Sequence, residues 1–242
     1  MKPALFLSDL HLSPERPAAA AAFHAFARGP AQAASGVYIL GDLFDWWVGD
    51  DQLDEPFAHA AAESLRSITA AGIPLYVARG NRDFLLGDRF AQATGAELLP
   101  EQHVVDVSGI PALLMHGDEL CTDDVSYQRY RTRMRAPATA RRLLALPYVV
   151  RRAIAWYLRR KSRAANALKP EAIMDVSGDA VIAAFRQHAV PRIIHGHTHR
   201  PARHRLEVDG TPRERIVLAD WHDRGHYLEA DMQGIHVREI TG

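Results

Sequence analysis

The sequence predicts an α/β domain built on parallel strands, and three observations lead there. Short apolar runs recur in the first third of the chain, around Phe6, around Ile39 and from Ile73 to Ala78. Runs of that length, rich in bulky residues and bounded by polar ones, read as buried strands. Longer stretches with helical spacing separate them. Each run also ends in a polar tip, several of which hold a glycine. Strand, tip and helix in repeating order give parallel strands joined by right-handed crossovers.

The first run, Leu5-Phe6-Leu7-Ser8-Asp9-Leu10-His11, ends in an aspartate and a histidine two positions apart. On an extended backbone both side chains point the same way. A carboxylate and an imidazole therefore converge at the strand's C-terminal end, where open α/β sheets collect ligands. Ser13 then reads as an N-cap with Pro14 in the first helical position, and the Ala-rich helix to Arg28 turns Phe23 and Phe26 inward. Gly36 to Leu40 is the second strand and runs into Gly41-Asp42-Leu43-Phe44-Asp45. Pro56 to Ala71 is a second helix, and the strand from Ile73 to Ala78 ends in Gly80-Asn81-Arg82-Asp83.

A second set of strands follows. Val104 to Val107 and Ala112 to Met115 flank the turn Ser108-Gly109 as a hairpin, and the latter strand ends in His116-Gly117-Asp118. Ser177 caps a helix with Val181, Ile182 and Phe185 on one face. Arg192-Ile193-Ile194 closes on His195-Gly196-His197-Thr198-His199. Arg203 to Glu207, Arg215 to Leu218, Tyr227 to Ala230 and His236 to Glu239 then read as short antiparallel strands, with turns at Asp209-Gly210 and Gln233-Gly234. No internal repeat, low-complexity linker or second core appears. One domain over residues 1–242, with a helical insertion at about 125–170, is the simplest organisation.

At 242 residues, 48% hydrophobic and 24% charged, the chain has the composition of a soluble globular protein and not of a disordered one. It enters a strand at once, and no apolar run is long enough to span a bilayer. The single Cys121 excludes an intramolecular disulfide framework and suits a reducing cytoplasm. The net charge of zero hides a segregation: from Arg129 to Lys169 there is no Asp or Glu among many arginines and lysines. An acidic body with a basic appendage implies a cation bound in the body and an anion met by the appendage.

The strand ends together carry Asp9 and His11, Asp42, Asn81, His116, and His197 with His199. Carboxylate, amide oxygen and imidazole suit a borderline-hard divalent metal such as manganese better than a thiolate-seeking one. Seven such groups exceed what one ion needs, whereas two ions sharing a carboxylate use them all. Two adjacent metals are a recurring device for displacement at phosphorus.

This ordered series (Asp-x-His, Gly-Asp-x-x-Asp, Gly-Asn-Arg-Asp, His-Gly, Gly-His-x-His) resembles the calcineurin-like metallophosphoesterase superfamily over nearly the whole chain. The resemblance implies a four-layer αββα sandwich of two facing mixed sheets covered by helices. It implies that Asp9, His11 and His199 hold a first metal, that Asp42 bridges, and that Asn81, His116 and His197 hold a second. Most members carry a histidine after the asparagine, which donates a proton to the leaving oxygen; this chain carries Arg82. Arginine stays protonated and cannot take that part. It can bind phosphate through charge-assisted bonds and stabilise developing charge. The site is then suited to a leaving group that needs little protonation, such as a phosphate ester leaving from a pyrophosphate.

Gly-Asn-Arg-Asp, His116-Gly-Asp-Glu-Leu-Cys-Thr-Asp-Asp124 and His195-Gly-His-Thr-His-Arg-Pro201 narrow the resemblance to the UDP-2,3-diacylglucosamine pyrophosphatases of lipid A synthesis. That resemblance implies a manganese enzyme, with two Mn2+ per chain, peripheral on the cytoplasmic face of the inner membrane. Its reaction is attack of metal-activated water at the phosphorus nearer uridine, giving 2,3-diacylglucosamine 1-phosphate and UMP. Arg82 and His197 would steady the transition state. Asn81, Arg82, His197, Asp124 and, in the insertion, Ser162, Asn166 and Lys169 fall at substrate-binding positions. The oligomeric state is not fixed by these residues, with a monomer expected.

The insertion read by itself agrees. Leu143, Leu146, Val150, Ile154 and Tyr157 recur at helical spacing, with arginines on other faces and Trp156 among them. A basic amphipathic helix with interfacial aromatics can lie on an anionic membrane, and its apolar face can hold acyl chains. A surface helix pair with solvated arginines is the plain alternative. RNA is the competing anion, but no stacking-aromatic motif of an RNA module is present, so no nucleic-acid partner is expected. Asp45, Asp83 and His195 lie inside the motifs without being needed as ligands, and orienting a ligand or capping a turn suits each. Trp46 and Trp47 are expected to pack near the mouth of the site, and Cys121 to be a structural thiol. The rival readings are a broad nucleotide pyrophosphatase on the same core and a non-catalytic binding module.

Overall fold

The computed structural model describes the backbone of residues 2–166 and 175–242, and the side chains of 2–161 and 175–242. Strand β1 (Ala4–Leu7) is four residues long, and the chain leaves the sheet before Asp9. Helix α1 (Pro17–Arg28) starts later than Ser13 and Pro14 predict: Ser13 and Arg16 close a turn, the Arg16 N–H donating to Ser13 O at 3.0 Å, and Pro17 takes the first helical position. The delay frees Arg16, whose guanidinium holds the carbonyls of Leu10, His11 and Trp221. Strand β2 (Gly36–Leu40), helix α2 (Pro56–Ala70) and strand β3 (Leu75–Ala78) follow as expected. Helix α3 (Asp88–Thr94) and the two-residue strand β4 (Glu97–Leu98) are additions too short for periodicity to reveal.

Strands β5 (Gln102–Val107) and β6 (Ile110–Met115) form the expected hairpin. Three helices come next, α4 (Val125–Arg135), α5 (Pro137–Leu144) and α6 (Tyr148–Asn166), and then α7 (Gly178–His188) behind Ser177. The chain ends in β7 (Arg192–His195), β8 (Ala202–Val208), β9 (Thr211–Val217), β10 (Gly225–Asp231) and β11 (Gly234–Ile240).

Two mixed sheets result, ordered β11-β10-β1-β2-β3-β4 and β5-β6-β7-β9-β8. Strands β1 to β4 are parallel, as are β6, β7 and β9. Alternation along the strands then builds the layers. Phe6, Leu40, Leu114, Ile194, Ile216 and Leu228 point between the sheets and form one buried cluster. Leu5, Leu7, Val37, Ile39 and Val77 point the other way, against Phe23 and Phe26 of α1 and Leu65 of α2. Leu113, Met115 and Ile193 meet Val181 and Phe185 of α7 on the far side. Helices, sheet, sheet, helix: the sandwich is four-layered, and the inner strands β1, β2 and β7 are buried along nearly their whole length because both faces are covered.

The apolar series from Leu143 to Tyr157 is not one helix face. Pro147 separates α5 from α6, since proline ends the helix that precedes it. Leu143, Ile154, Ala155 and Leu158 turn toward the body and line a cavity, whereas Val150 and Tyr157 are exposed. Two arginines also turn inward. Buried Arg151 donates to Val48 O and pairs with Asp51, and Arg159 pairs with Asp45. Among the described residues no helix is long and apolar enough to cross a membrane.

Candidate metal centre

Every predicted donor that the structure describes lies just past a strand end. Sheet β11–β4 presents Asp9 and His11 after β1, Asp42 after β2 and Asn81 after β3. The other sheet presents His116 after β6, and His197 and His199 after β7. Asp9, His11, Asp42, His197 and His199 all have positive φ, between 48 and 71°. Left-handed backbone is costly for residues with a Cβ and gathers at functional sites. It also corrects the extended-strand argument: Asp9 and His11 converge because the chain coils at each of them, not because a strand alternates. Neighbouring glycines admit the carboxylates, since a Cβ at Gly80 would overlap Asp42 Oδ1 and one at Gly196 would overlap Asp9 Oδ2.

Two donor groups share one carboxylate. In one, ligand atoms of Asp9, His11 and His199 lie within 4.8 Å of one another; in the other, those of Asp9, Asp42 and His116 do. The Nε2 atoms of His11 and His199 are 3.3 Å apart, and Asp9 Oδ1 is 3.9 and 3.5 Å from them. Asp42 faces both groups, with Oδ2 3.9 Å from His11 Nδ1 and Oδ1 3.7 Å from His116 Nε2. Asn81 joins through Oδ1, 3.0 Å from His116 Nε2. His197 places its ring 5.0 Å from that of His116 and gives its backbone N–H to Asp9 Oδ2 at 2.8 Å.

The chemistry of this donor set fits a divalent metal ion. Asp9 Oδ1 and His11 Nδ1 are buried and hydrogen-bonded to nothing. Burial pushes the His11 and His197 imidazoles down to about 3, so both present lone pairs at neutral pH. Burial, with Asp83 and Asp9 nearby, pushes Asp42 up to about 7 despite His116. A buried carboxylate held back from ionising beside lone-pair imidazoles gains most from a bound cation.

The motif residues without a predicted part acquire one. Asp83 is wholly buried, accepting the Leu43 N–H at 2.7 Å on one oxygen and the Gly80 N–H at 2.7 Å on the other. It ties the tip after β2 to the tip after β3. Arg82 N–H donates to Asp42 Oδ1 at 2.8 Å. The buried His195 ring lies 3.2 Å from Arg215, and burial pushes it down to about 4. Trp47 is buried against Phe44 and Phe90, while Trp46 lines the cavity under the Arg152 guanidinium. Asp124 is buried and caps α4, accepting the Tyr127 N–H at 3.0 Å. The side chains of Ser162 and Asn166, and all of Lys169, lie outside the described residues.

Beside the donors opens a cavity of about 470 Å³, lined by Asn81, Arg82, Trp46 and Tyr127 and, from α6, by Ile154 and Leu158. Two of its supports were not legible in the sequence. Tyr127 lays its ring along His197, centroids 5.8 Å apart, and donates its hydroxyl to Asp118 Oδ2 at 3.0 Å. That same oxygen accepts from Arg131 and Arg135, so a fully buried carboxylate two residues past His116 fastens α4 to the site. Only its place inside the His-Gly-Asp run could have singled out Asp118.

The calcineurin-like phosphoesterase family matches over residues 2–201. A UDP-2,3-diacylglucosamine hydrolase of Cellvibrio japonicus (strain Ueda107) is 49% identical over 234 residues, 97% of this chain and 97% of that protein. Proteins of the same name from Pseudomonas paraeruginosa and Escherichia coli O1:K1 are 49% and 46% identical, over 95% and 96% of this chain and 95% and 98% of their own lengths.

Proposed function

The chain belongs to the calcineurin-like phosphoesterase family, and from that premise we propose that it is a metal-dependent hydrolase of UDP-2,3-diacylglucosamine. Water attacks the phosphorus nearer uridine, the pyrophosphate P–O bond breaks, and 2,3-diacylglucosamine 1-phosphate and UMP leave. The observation that carries this reading is the pair of adjacent donor groups sharing Asp9, joined through Asn81 to a cavity that is charged at Arg82 and apolar at Ile154 and Leu158.

Two Mn2+ are the proposed cofactors. Asp9, His11 and His199 would hold one and Asn81, His116 and His197 the other, with Asp42 between them. Bound there, such ions supply Lewis acidity toward phosphoryl oxygens and lower the pKa of water. The chain's own groups do the rest. Arg82 is permanently cationic and takes up charge developing on the phosphate, but donates no proton to the leaving group. His197, with the Tyr127 ring alongside it, would steady the transition state together with Arg82. Asp124, Ser162, Asn166 and Lys169 are proposed contacts to the rest of the substrate.

Residues 125–170 act in this reading as a helical lid on a single domain, its inner apolar face taking the acyl chains. Its outer face, with exposed Val149, Trp156 and Tyr157 among arginines, suits an anionic membrane surface. This supports a peripheral membrane contact, and the family resemblance is what puts it on the cytoplasmic side of the inner membrane in this proposal.

The test is release of UMP from the diacylated UDP-sugar by purified protein with Mn2+, and its loss with chelator or in His11→Ala. Equal turnover of UDP-glucosamine without acyl chains would instead favour a broad nucleotide pyrophosphatase.

A further inference from the structure

The segment from Leu218 to His222 crosses from β9 in one sheet to β10 in the other, and it is fastened to both motifs that supply the first donor group. Leu218 N–H donates to His195 O at 2.7 Å and Trp221 N–H to Asp9 O at 3.1 Å. The Arg16 guanidinium closes the clamp on Trp221 O and on the carbonyls of Leu10 and His11. The Trp221 side chain is fully buried and anchored by a 2.7 Å bond from Nε1 to His226 O. The backbone of residue 220 is thus fixed relative to Asp9, His11 and His195.

On that fixed backbone stands Asp220, mostly buried, with Oδ2 3.1 Å from His199 Nδ1 and 2.7 Å from His222 Nε2. A carboxylate acceptor at that distance requires the proton on Nδ1. The other ring nitrogen, Nε2, then faces the space bounded by His11 Nε2 and Asp9 Oδ1 and is the one left to meet a cation there. His199 needs such a support more than its fellow donors: its side chain is 41% exposed, against 10% for His11 and none for Asp9. Its ring meets that of His11, centroids 5.2 Å apart.

We propose that Asp220 is the positioning residue of His199, fixing its tautomer and ring orientation so that Nε2 completes the Asp9–His11–His199 cation site. A carboxylate behind a ligating imidazole is a general device, and its removal typically weakens metal binding about 10–100-fold. The assignment rests on the metal reading above and adds to it a residue outside every motif. His222 shares the carboxylate from the solvent side and serves as the control.

The experiment is direct Mn2+ binding, by equilibrium dialysis with electron paramagnetic resonance of the bound ion, on wild type, Asp220→Asn, Asp220→Ala, His199→Ala, Asp220→Ala/His199→Ala and His222→Ala. Asparagine keeps the shape of the side chain but loses the charge that demands the Nδ1 proton. Asp220→Asn and Asp220→Ala are expected to weaken one class of bound ion by about 10–100-fold and leave the other class unchanged. His222→Ala should bind as wild type, and the double variant no worse than His199→Ala. Wild-type affinity in both Asp220 variants overturns the assignment, and so does a further loss in the double variant, which would place the action of Asp220 elsewhere than on His199. Failure of the wild type itself to bind Mn2+ removes the metal reading, and this assignment with it.

Discussion

Asp83 accepts the Leu43 N–H across forty residues of sequence at 2.7 Å, while its second oxygen holds Gly80. One buried carboxylate therefore sets the spacing of Asp42 and Asn81, which sit on the two loops it joins. Asp83→Ala leaves at least two buried amides without an acceptor and should cost about 2–4 kcal/mol. Urea unfolding of the metal-free protein should show a lower midpoint with an unchanged slope. An unaltered midpoint would mean the two loops hold their places without it.

Arg82 touches the donors through its backbone and the cavity through its side chain. Arg82→Ala should therefore lower kcat about 10²–10³-fold, as loss of a transition-state charge donor does, while Mn2+ affinity stays put. Lysine should restore little, because a point charge does not replace a planar fork. Kinetics at saturating metal, alongside a binding isotherm, separate the two effects.

Asp118 gives a dependence on pH whose sign is fixed by its surroundings. Burial opposes its ionisation, but His116, Arg135, His197 and Arg131 outweigh it and hold the carboxyl well below the usual range. A depressed folded-state pKa contributes stability that is fully present above the unfolded value, near 4, and lost as pH falls below it. Breaking such a buried pair costs about 3–5 kcal/mol. Asp118→Ala should thus lie well below wild type in melting temperature at pH 7, with the gap narrowing as the pH is taken from 5 toward 2. A gap independent of pH would show that the carboxylate's charge contributes nothing.

Cys121 is buried, and burial together with Asp118 and Asp175 pushes its thiol up to about 12. Since only the thiolate is nucleophilic, iodoacetamide at pH 8 should leave the folded protein unmodified and alkylate it fully in denaturant. Mass spectrometry of the intact chain reads the outcome; rapid labelling of the folded state would mark an accessible thiol.

All seven proposed ligands were legible because each sits in a short signature beside a strand end, where residue type and neighbouring glycine speak together. Their convergence was legible for a wrong reason at Asp9 and His11, since sequence carries no sign that five of these residues adopt left-handed backbone. The strands followed from apolar runs and the four layers from the family resemblance, while the shortest elements, α3 and β4, escaped. The insertion was read least well. Periodicity ran straight through Pro147, and a run of arginines gives no hint that Arg151 and Arg159 turn inward to acidic partners while their neighbours face solvent. Asp220 stands outside every motif, so only three-dimensional proximity to His199 reveals it.

The donors are divided between two sheets, four on one side and three on the other, and what separates those sheets is the layer of Phe6, Leu40, Leu114 and Ile194. That layer works as a spacer gauge. Trimming or enlarging one of its side chains would alter the gap across which the two halves of the centre face each other, so a hydrophobic substitution touching no ligand should still retune how tightly, and which, cations are held.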